Sequence, residues 1–282
     1  MSGDRTSAES GERAFPMEPA APAKSAVSAR CAPAPAPDPA PLPTVESTML
    51  PTARLRQFCR LLAIGTAMLL LPAEPGCTDE KPKQTKSPER WENEIQAIEK
   101  KLAARSSHHA DVVFVGSSSI RRWDLAKSFP ELNAVNHGFG GSQLADSVHF
   151  FSRVVTAAKP RVVVLYAGDN DLSDGRSPDV IVSDFEEFLA RVDDELPECQ
   201  KVIFISIKPS IKRWKLKDSI RRTNDRIRKL CEQHPRAEYA DVWTPSLNAA
   251  GEPRRELLSS DDLHLTDAGY DVWNRTLLPL LK

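Results

Sequence analysis

The chain lacks a strong net charge, an even number of cysteines and an apolar run long enough to cross a membrane. Its 282 residues carry a formal net charge of −1, which favours no polyelectrolyte, and in particular no nucleic acid, as a partner. The apolar stretch at residues 61–71 is shorter than the roughly 20 residues that span a bilayer. Because the five cysteines are an odd number, they cannot all pair within one chain.

Only Cys199 and Cys231 lie in the part of the chain whose pattern predicts a folded core. A disulfide between them is an alternative to two buried thiols, which are the usual state of cysteine in a core and are favoured here. No set of Cys and His has the spacing of a zinc site. His108, His109 and Asp111 precede a predicted strand, and we interpret them as part of a solvated loop. The sequence therefore predicts no metal.

Residues 1–77 do not have the pattern of a folded domain. Residues 1–48 are rich in Ala, Pro, Ser and Glu, as in CAPAPAPDPAPLP, and predict a disordered, polyproline-II-like segment. In residues 49–77 three arginines precede the apolar stretch, which is the shape of an export signal. If translation starts at Met49, that signal has an ordinary length. A buried or interfacial amphipathic helix, in a cytoplasmic protein, is the alternative.

The end of this segment, Gly76-Cys77, resembles the end of a bacterial lipoprotein signal, in which the cysteine is lipidated. Glu74 stands where such signals usually carry leucine. The resemblance implies an exported protein that is periplasmic or attached to a membrane through Cys77. Residues 78–87, TDEKPKQTKS, predict a charged tether, and residues 88–282 are enough for one compact domain.

Predicted strands and helices alternate along this domain. Apolar runs predict strands at residues 111–116, 133–138, 161–168, 201–209 and 237–243. Amphipathic spacing and capping residues predict helices at residues 88–105, 142–160, 177–197 and 215–235, and from about Thr266 to the end. This alternation, with continuously apolar strands, predicts a parallel sheet covered by helices on both faces, which is a three-layer α/β/α fold.

Chemically reactive residues follow four of the predicted strands. Because functional sites form at the carboxyl ends of parallel strands, we expect these residues to meet at one edge of the sheet. The four segments are Gly116-Ser117-Ser118, Gly138-Phe139-Gly140-Gly141, Gly168-Asp169-Asn170-Asp171 and Asp261-Asp262-Leu263-His264.

These residue types fit nucleophilic attack by a serine. A serine hydroxyl needs a neighbouring base, and His264 is the candidate, with Asp261 placed three residues earlier to accept from its ring. Asp262 is the competing carboxylate. Negative charge on the attacked carbonyl needs N–H donors, which the helix start at Ser118, the Gly140-Gly141 turn and the Asn170 amide can supply. At this point Ser117, Ser118 and Ser119 are all candidates, and such serines also cap helices.

The same four segments, in this order, resemble the SGNH hydrolases, also called the GDSL lipase/acylhydrolase family. The matching blocks are VGSSSI, NHGFGGS, YAGDNDL and DDLHL, and the likeness extends over roughly residues 90–282. Ser117 stands where the family usually has aspartate, so the hydrogen bonds around the nucleophile differ here. The resemblance implies a five-stranded sheet of flavodoxin-like order and no cofactor.

The resemblance also assigns roles. It implies that Ser118 is the nucleophile, with Ser117 and Ser119 capping and holding the turn, that His264 and Asp261 activate it, and that N–H groups of Ser118, Gly141 and Asn170 form an oxyanion hole. We expect cleavage of carboxylic esters, in a small molecule or a polysaccharide, through an acyl-enzyme. An acyltransferase using the same residues and a non-catalytic carbohydrate- or lipid-binding module are the alternatives.

Two residues after the fourth predicted strand, Arg213 and Trp214, are candidates for binding the substrate. They end the segment KPSIKRW, which we expect to line the cleft. The basic helix that follows has the charge to attract an anionic membrane or polysaccharide, although a solvated helix face is favoured.

Overall fold

The computed structural model of the protein describes residues 86–282. The predicted disordered segment, the predicted export signal with Cys77 and nearly all of the tether lie outside the described residues, and those predictions stay predictions. Within residues 86–282, no helix has both the length and the hydropathy required to cross a bilayer.

Five short strands form one parallel sheet in the order β2-β1-β3-β4-β5. Their bounds are β1 (Val112–Gly116), β2 (Ala134–Gly138), β3 (Val162–Tyr166), β4 (Lys201–Ile205) and β5 (Ala237–Ala240). The predicted five-stranded parallel sheet of flavodoxin-like order is confirmed. β5 ends earlier than predicted because the Asp241 carboxylate accepts from the backbone N–H groups of Trp243 and Thr244, which turns the chain away from the sheet.

Helices cover both faces of this sheet, as predicted. Their bounds are α1 (Glu92–Ala103), α2 (Ser118–Arg121), α3 (Leu125–Ser128), α4 (Leu144–His149), α5 (Phe151–Val154), α6 (Asp169–Ser173), α7 (Pro178–Glu195), α8 (Lys217–Gln233) and α9 (Asp267–Leu277). α7 begins where the sequence predicts a helix, and it is capped by the Ser177 hydroxyl, which accepts from the N–H of Val180. Thr266 caps α9 in the same way, through Gly269.

Alternate residues of each strand supply two separate cores. Val113 and Val115 of β1 pack with α1, α4, α5, α7 and α8, whereas Val112 and Phe114 pack with α2, α3 and α9. Side chains alternate between the faces of a strand, so a strand buried on both faces must be apolar throughout. Each large apolar side chain buried in this way contributes about 1.5–3 kcal/mol, and together they fix the strand ends that carry the candidate site.

Two predicted helices differ from those observed. The segment at residues 142–160 is not one helix, because it breaks between α4 and α5 at Phe150. The break lets two adjacent rings be buried in different places, with Phe150 against Phe139 and Phe151 against Phe188. The first predicted helix starts as a 3₁₀ turn over Pro88–Trp91, and Ser87 makes no side-chain cap.

Cys199 and Cys231 are free, buried thiols, which agrees with the favoured interpretation. Burial raises the pKa of both thiols, that of Cys231 to about 12. The thiolate is the reactive form of cysteine, so these two side chains act as apolar core residues.

Candidate active site

The turn after β1 places one serine differently from its neighbours. Gly116 has φ +130°, and a Cβ there would lie 2.0 Å from the carbonyl oxygen of Tyr166, so only glycine fits beside β3. The chain then enters α2 at Ser118. Ser117 and Ser119 are buried, whereas Ser118 is half-buried. Of the three candidate serines, Ser118 is the one whose hydroxyl reaches the surface of the site.

Ser117 holds this turn through its backbone and not through its hydroxyl. Its carbonyl accepts from the N–H groups of Ile120 and Arg121, and its own N–H donates to Tyr166. Its Oγ is buried and has no hydrogen-bond partner within residues 86–282. The expectation that Ser117 caps the helix is therefore wrong for the side chain, since a cap requires that hydroxyl to accept from the first turn.

Ser118, His264 and Asp261 form a hydrogen-bonded chain, which we call the triad. Ser118 Oγ lies 3.0 Å from His264 Nε2, and His264 Nδ1 lies 2.5 Å from Asp261 Oδ2. The serine and the histidine are 146 residues apart in sequence and meet because β1 and the loop before α9 end at the same edge of the sheet. The imidazole is thus held at both nitrogens, as a general base must be.

Asp261 is fixed by several donors of its own loop. Its Oδ1 accepts from the Ser259 hydroxyl at 2.8 Å and from the backbone N–H groups of Leu263 and His264. The hydrogen bond to the His264 ring, helped by these donors, holds the pKa of Asp261 well below its usual range. The carboxylate therefore stays ionised and accepts from the imidazole ring.

The competing carboxylate, Asp262, points elsewhere. Its backbone is left-handed, with φ +59°, and its Oδ1 lies 3.1 Å from the Arg255 guanidinium. Its carbonyl accepts from the N–H of Lys212, which ties this loop to the segment after β4. The structure brings Asp261, and not Asp262, to His264.

The loops after β2 and β3 flank Ser118, because β2 and β3 are the neighbours of β1 in the sheet. The N–H of Gly140 is occupied, since it donates to Glu94 Oε2 at 2.6 Å. The N–H groups of Ser118 and Gly141 donate to no acceptor within residues 86–282. Asn170 lies beside Gly141, at 3.7 Å from the position of a Gly141 Cβ. The three loops that carry the predicted oxyanion donors are therefore adjacent at this edge of the sheet.

Arg213 and Trp214, the predicted substrate-binding residues, lie in different surroundings. The Arg213 guanidinium contacts Asn170 Oδ1 and Asp169 Oδ2, each at 2.8 Å. Trp214 stacks on Trp243 and lines a cleft of about 590 Å³. The other residues of this cleft are Ile211, Asn248, Glu252, Pro253, Arg254, Arg255 and Glu256. A role in binding substrate stays a prediction for both residues.

A buried charged cluster below Asn170 was not foreseen from the sequence. Lys208 is 1% exposed, and its ammonium lies 3.4 Å from Asp169 Oδ2 and 3.3 Å from the Tyr166 hydroxyl. Burial opposes ionisation of Asp169, but Lys208 and Arg213 outweigh it and hold the pKa of Asp169 below its usual value. The polar run GDND after a strand indicates where Asp169 lies in the sheet, at the end of β3. It does not indicate that this side chain is buried.

Histidines outside the triad have other partners. His137 is buried with Nδ1 2.7 Å from the Val154 carbonyl, and desolvation lowers its pKa, so it is a neutral core residue. His109 lies on an exposed loop, 3.1 Å from Asp111 and 3.0 Å from the Lys159 carbonyl. In the described part of the chain, no three His, Cys, Asp or Glu side chains are grouped so that they could hold a metal ion.

Comparisons with known proteins agree with this fold and place the chain in a family. The model of the GDSL-like Lipase/Acylhydrolase family matches residues 115–272, from β1 into α9. The bovine platelet-activating factor acetylhydrolase IB subunit alpha1 is 24% identical over 188 residues, which cover 64% of this chain and 78% of the relative.

Two solved structures share the architecture. A GDSL-like lipase from Bacteroides thetaiotaomicron superposes with a TM-score of 0.57 at 20% identity, over 69% of this chain and 97% of that one. A variant of an acetyl-xylooligosaccharide esterase from Geobacillus gives 0.51 at 15% identity, over 61% and 94%. The chain belongs to the GDSL-like lipase/acylhydrolase family and is an ester-hydrolysing enzyme.

Proposed function

We propose that the protein cleaves carboxylic esters in two steps, through an acyl-enzyme on Ser118. One observation carries this proposal: the unbroken chain from Ser118 Oγ through both nitrogens of His264 to the Asp261 carboxylate. In the first step Ser118 Oγ attacks the acyl carbon while His264 Nε2 takes the hydroxyl proton. The alcohol then leaves with that proton. Water, deprotonated by the same nitrogen, attacks the ester on Ser118. The bond between the acyl carbon and Ser118 Oγ then breaks, the imidazolium returns its proton to Ser118 Oγ, and the acid is released.

The negative charge on the carbonyl oxygen needs donors in both steps. The proposed donors are the backbone N–H groups of Ser118 and Gly141 and the amide of Asn170, because the loops that carry them follow neighbouring strands and Asn170 lies beside Gly141. One such donor is typically worth about 2.7–4 kcal/mol of the barrier. Asp261 stabilises the imidazolium that exists in the intermediate stages.

We propose short acyl groups, acetyl first, as the acyl part of the substrate. A curated relative is named as an acetylhydrolase and a structural neighbour as an acetyl-xylooligosaccharide esterase, so acetyl esters of small molecules and of polysaccharides are the first substrates to test. The cleft beside Trp214 is also lined by Arg255, whose guanidinium lies 3.1 Å from Asp262, two residues before His264. We propose that it receives part of the alcohol.

The test is hydrolysis of p-nitrophenyl acetate and its longer-chain homologues by the full chain, by Ser118→Ala and by Ser119→Ala. Ser119 is a matched control, because it is buried in the same turn and contacts Tyr270 only through its carbonyl. Loss of a triad nucleophile is expected to reduce turnover on the order of 10⁶-fold, while Ser119→Ala keeps its activity. Turnover that survives in Ser118→Ala would refute the proposed nucleophile. Product analysis with an added sugar acceptor separates hydrolysis from acyl transfer.

A further inference from the structure

The Asn170 side chain has a partner on each end of its amide. Its Oδ1 accepts from Arg213 Nη2 at 2.8 Å, and its Nδ2 donates to the Ser142 carbonyl at 2.9 Å. A guanidinium only donates hydrogen bonds, so the amide oxygen must face Arg213. The NH₂ group is then turned toward the Gly141-Ser142 loop. Since an amide nitrogen carries two hydrogens, one remains after the bond to Ser142.

Arg213 is itself fixed by a buried carboxylate. Its Nη1 lies 2.8 Å from Asp169 Oδ2, with side chains that are 13% and 7% exposed. The planar guanidinium thus bridges the side chains of two successive residues, Asp169 and Asn170. The Lys208 ammonium also lies 3.4 Å from the same carboxylate oxygen. Asp169 Oδ1 and Arg213 Nη1 make no hydrogen bond within residues 86–282, so the guanidinium is held by the 2.8 Å ion pair and by its hydrogen bond to Asn170.

We propose that Arg213 is a positioning residue for Asn170, and that it makes the Asn170 amide a better oxyanion donor. It does so in two ways: it fixes which end of the amide faces the site, and its positive charge draws electron density toward Oδ1, which strengthens Nδ2–H as a donor. This inference rests on the proposed function, because it requires that Asn170 stabilises an oxyanion. Arg213 then acts on the substrate through Asn170 and does not contact the substrate directly.

Direct binding of the substrate by Arg213 and positioning of Asn170 by Arg213 have different kinetic signatures. A residue that binds substrate equally in the ground and transition states changes KM, whereas one that serves only the oxyanion changes kcat. A purely structural residue would lower the apparent kcat through loss of folded enzyme and leave KM unchanged, so the fraction of folded enzyme is measured for each variant. The sharpest criterion is the coupling between Arg213 and Asn170, because the kinetic effects of substituting two residues that act as a unit do not add.

The experiment measures kcat and KM of the full chain with p-nitrophenyl acetate for Arg213→Lys, Arg213→Met, Asn170→Ala and both double variants. Lysine keeps the charge opposite Asp169, which guards against failure to fold, but it lacks the planar fork of donors that holds two side chains in one fixed geometry. We expect each Arg213 variant to lower kcat by about 10–100-fold, below the roughly 10²–10³-fold cost of deleting a donor. KM should change far less. In the Asn170→Ala background the Arg213 substitutions should add almost nothing.

Arg191→Lys serves as the control, because Arg191 pairs with Glu195 near the end of α7 and not with the site. It should keep the wild-type kcat. An unchanged kcat in both Arg213 variants, or an additive loss in the Asn170→Ala background, would overturn the inference. A selective rise in KM would instead assign Arg213 to the substrate.

A second readout separates this inference from the proposed function. A fluorophosphonate probe forms a tetrahedral adduct on an activated serine, and its labelling rate can be followed without any knowledge of the substrate. If the proposed function fails, the unsubstituted protein is not labelled at Ser118. If only this inference fails, the protein is labelled and the Arg213 variants are labelled equally fast.

Discussion

Asp261 contacts His264 twice, once at the ring and once at the backbone. Its Oδ2 lies 2.5 Å from His264 Nδ1, and its Oδ1 accepts from the N–H of His264 at 2.9 Å. One carboxylate therefore sets both the ring orientation and the path of the main chain. This double contact is possible because the two residues are three apart in a tight loop that is closed by a hydrogen bond from the N–H of Ser259 to the His264 carbonyl.

Replacing Asp261 by Asn should abolish most of the activity without unfolding the protein. The amide oxygen can still accept from the backbone, but the amide no longer carries the charge that stabilises an imidazolium, and it favours the wrong tautomer. A fall in kcat of about 10⁴-fold is expected by analogy with other serine triads. Steady-state kinetics with p-nitrophenyl acetate, together with thermal unfolding, provide the measurement.

Asp262→Asn is the matched control for that substitution. Asp262 is adjacent in sequence but pairs with Arg255 at the surface, where an ion pair is worth roughly 0–1 kcal/mol. Its variant should keep nearly all of the wild-type kcat. If Asp262→Asn were the more damaging of the two, the carboxylate would be wrongly assigned.

Gly140 and Gly141 should respond to alanine in opposite ways. Gly140 has φ +40°, and a Cβ there would lie 1.8 Å from the ring of Trp91, which is anchored on Asp146. Gly140→Ala should therefore cost at least about 1–2 kcal/mol of unfolding free energy from backbone strain alone. A Cβ at Gly141 makes only ordinary contact, at 3.7 Å from Asn170 Nδ2.

Gly141→Ala should leave stability within about 0.5 kcal/mol of wild type but lower kcat, since its methyl group lies against the proposed oxyanion donor. Urea unfolding and steady-state turnover of both variants test the pair. Equal losses of stability would contradict the steric argument, and full activity in Gly141→Ala would mean that the carbonyl oxygen binds elsewhere.

Much of the candidate site can be predicted from the sequence, because the turns at the ends of the strands need particular residue types. Gly116 is required beside Tyr166, and the polar blocks after β1, β2 and β3 stand out against apolar strands. The Asp261–His264 pair is visible because it is local. These features depend on short-range geometry, which a sequence shows directly.

Burial of charge and helix breaks depend on contacts between distant segments, and these escaped prediction. Lys208 follows a strand, and a lysine in that position is typical of a solvated loop. It is buried because Asp169, 39 residues away, faces it. The break at Phe150 exists because two neighbouring rings find separate pockets. In neither case can the distant contacting residue be identified from the local sequence pattern.

Trp214→Ala should change the choice of alcohol more than the chemistry. Trp214 lines the cleft of about 590 Å³, and Arg255 of this cleft contacts Asp262 near His264. Loss of an aromatic wall should raise KM about 10-fold for acetyl esters of bulky alcohols or sugars. The kcat for p-nitrophenyl acetate should be nearly unchanged, since its alcohol is small. A series of acetyl esters that differ only in the alcohol measures this. The same change in KM across the whole series would show that the cleft does not hold the alcohol.

Asp171 is a buried carboxyl whose titration should make the free energy of unfolding depend on pH. Its side chain is fully buried, accepts from the N–H of Leu144 and lies 3.3 Å from Arg176. Burial raises its pKa from 3.8 to about 7, although Arg176 opposes the shift and Asp184 of α7 adds to it. Between these two pH values the folded protein keeps a proton that the unfolded chain has lost.

The free energy of unfolding contributed by Asp171 should therefore be largest below about pH 4 and be lost as the pH rises toward 7. Asp171→Asn cannot ionise, and its amide oxygen can still accept from Leu144. Relative to wild type, this variant should gain stability with rising pH, on the order of 4 kcal/mol at most between pH 4 and 8. Urea unfolding of both proteins across that range is the measurement. Parallel stability profiles would mean that Asp171 is already ionised in the folded protein at pH 4, held so by Arg176.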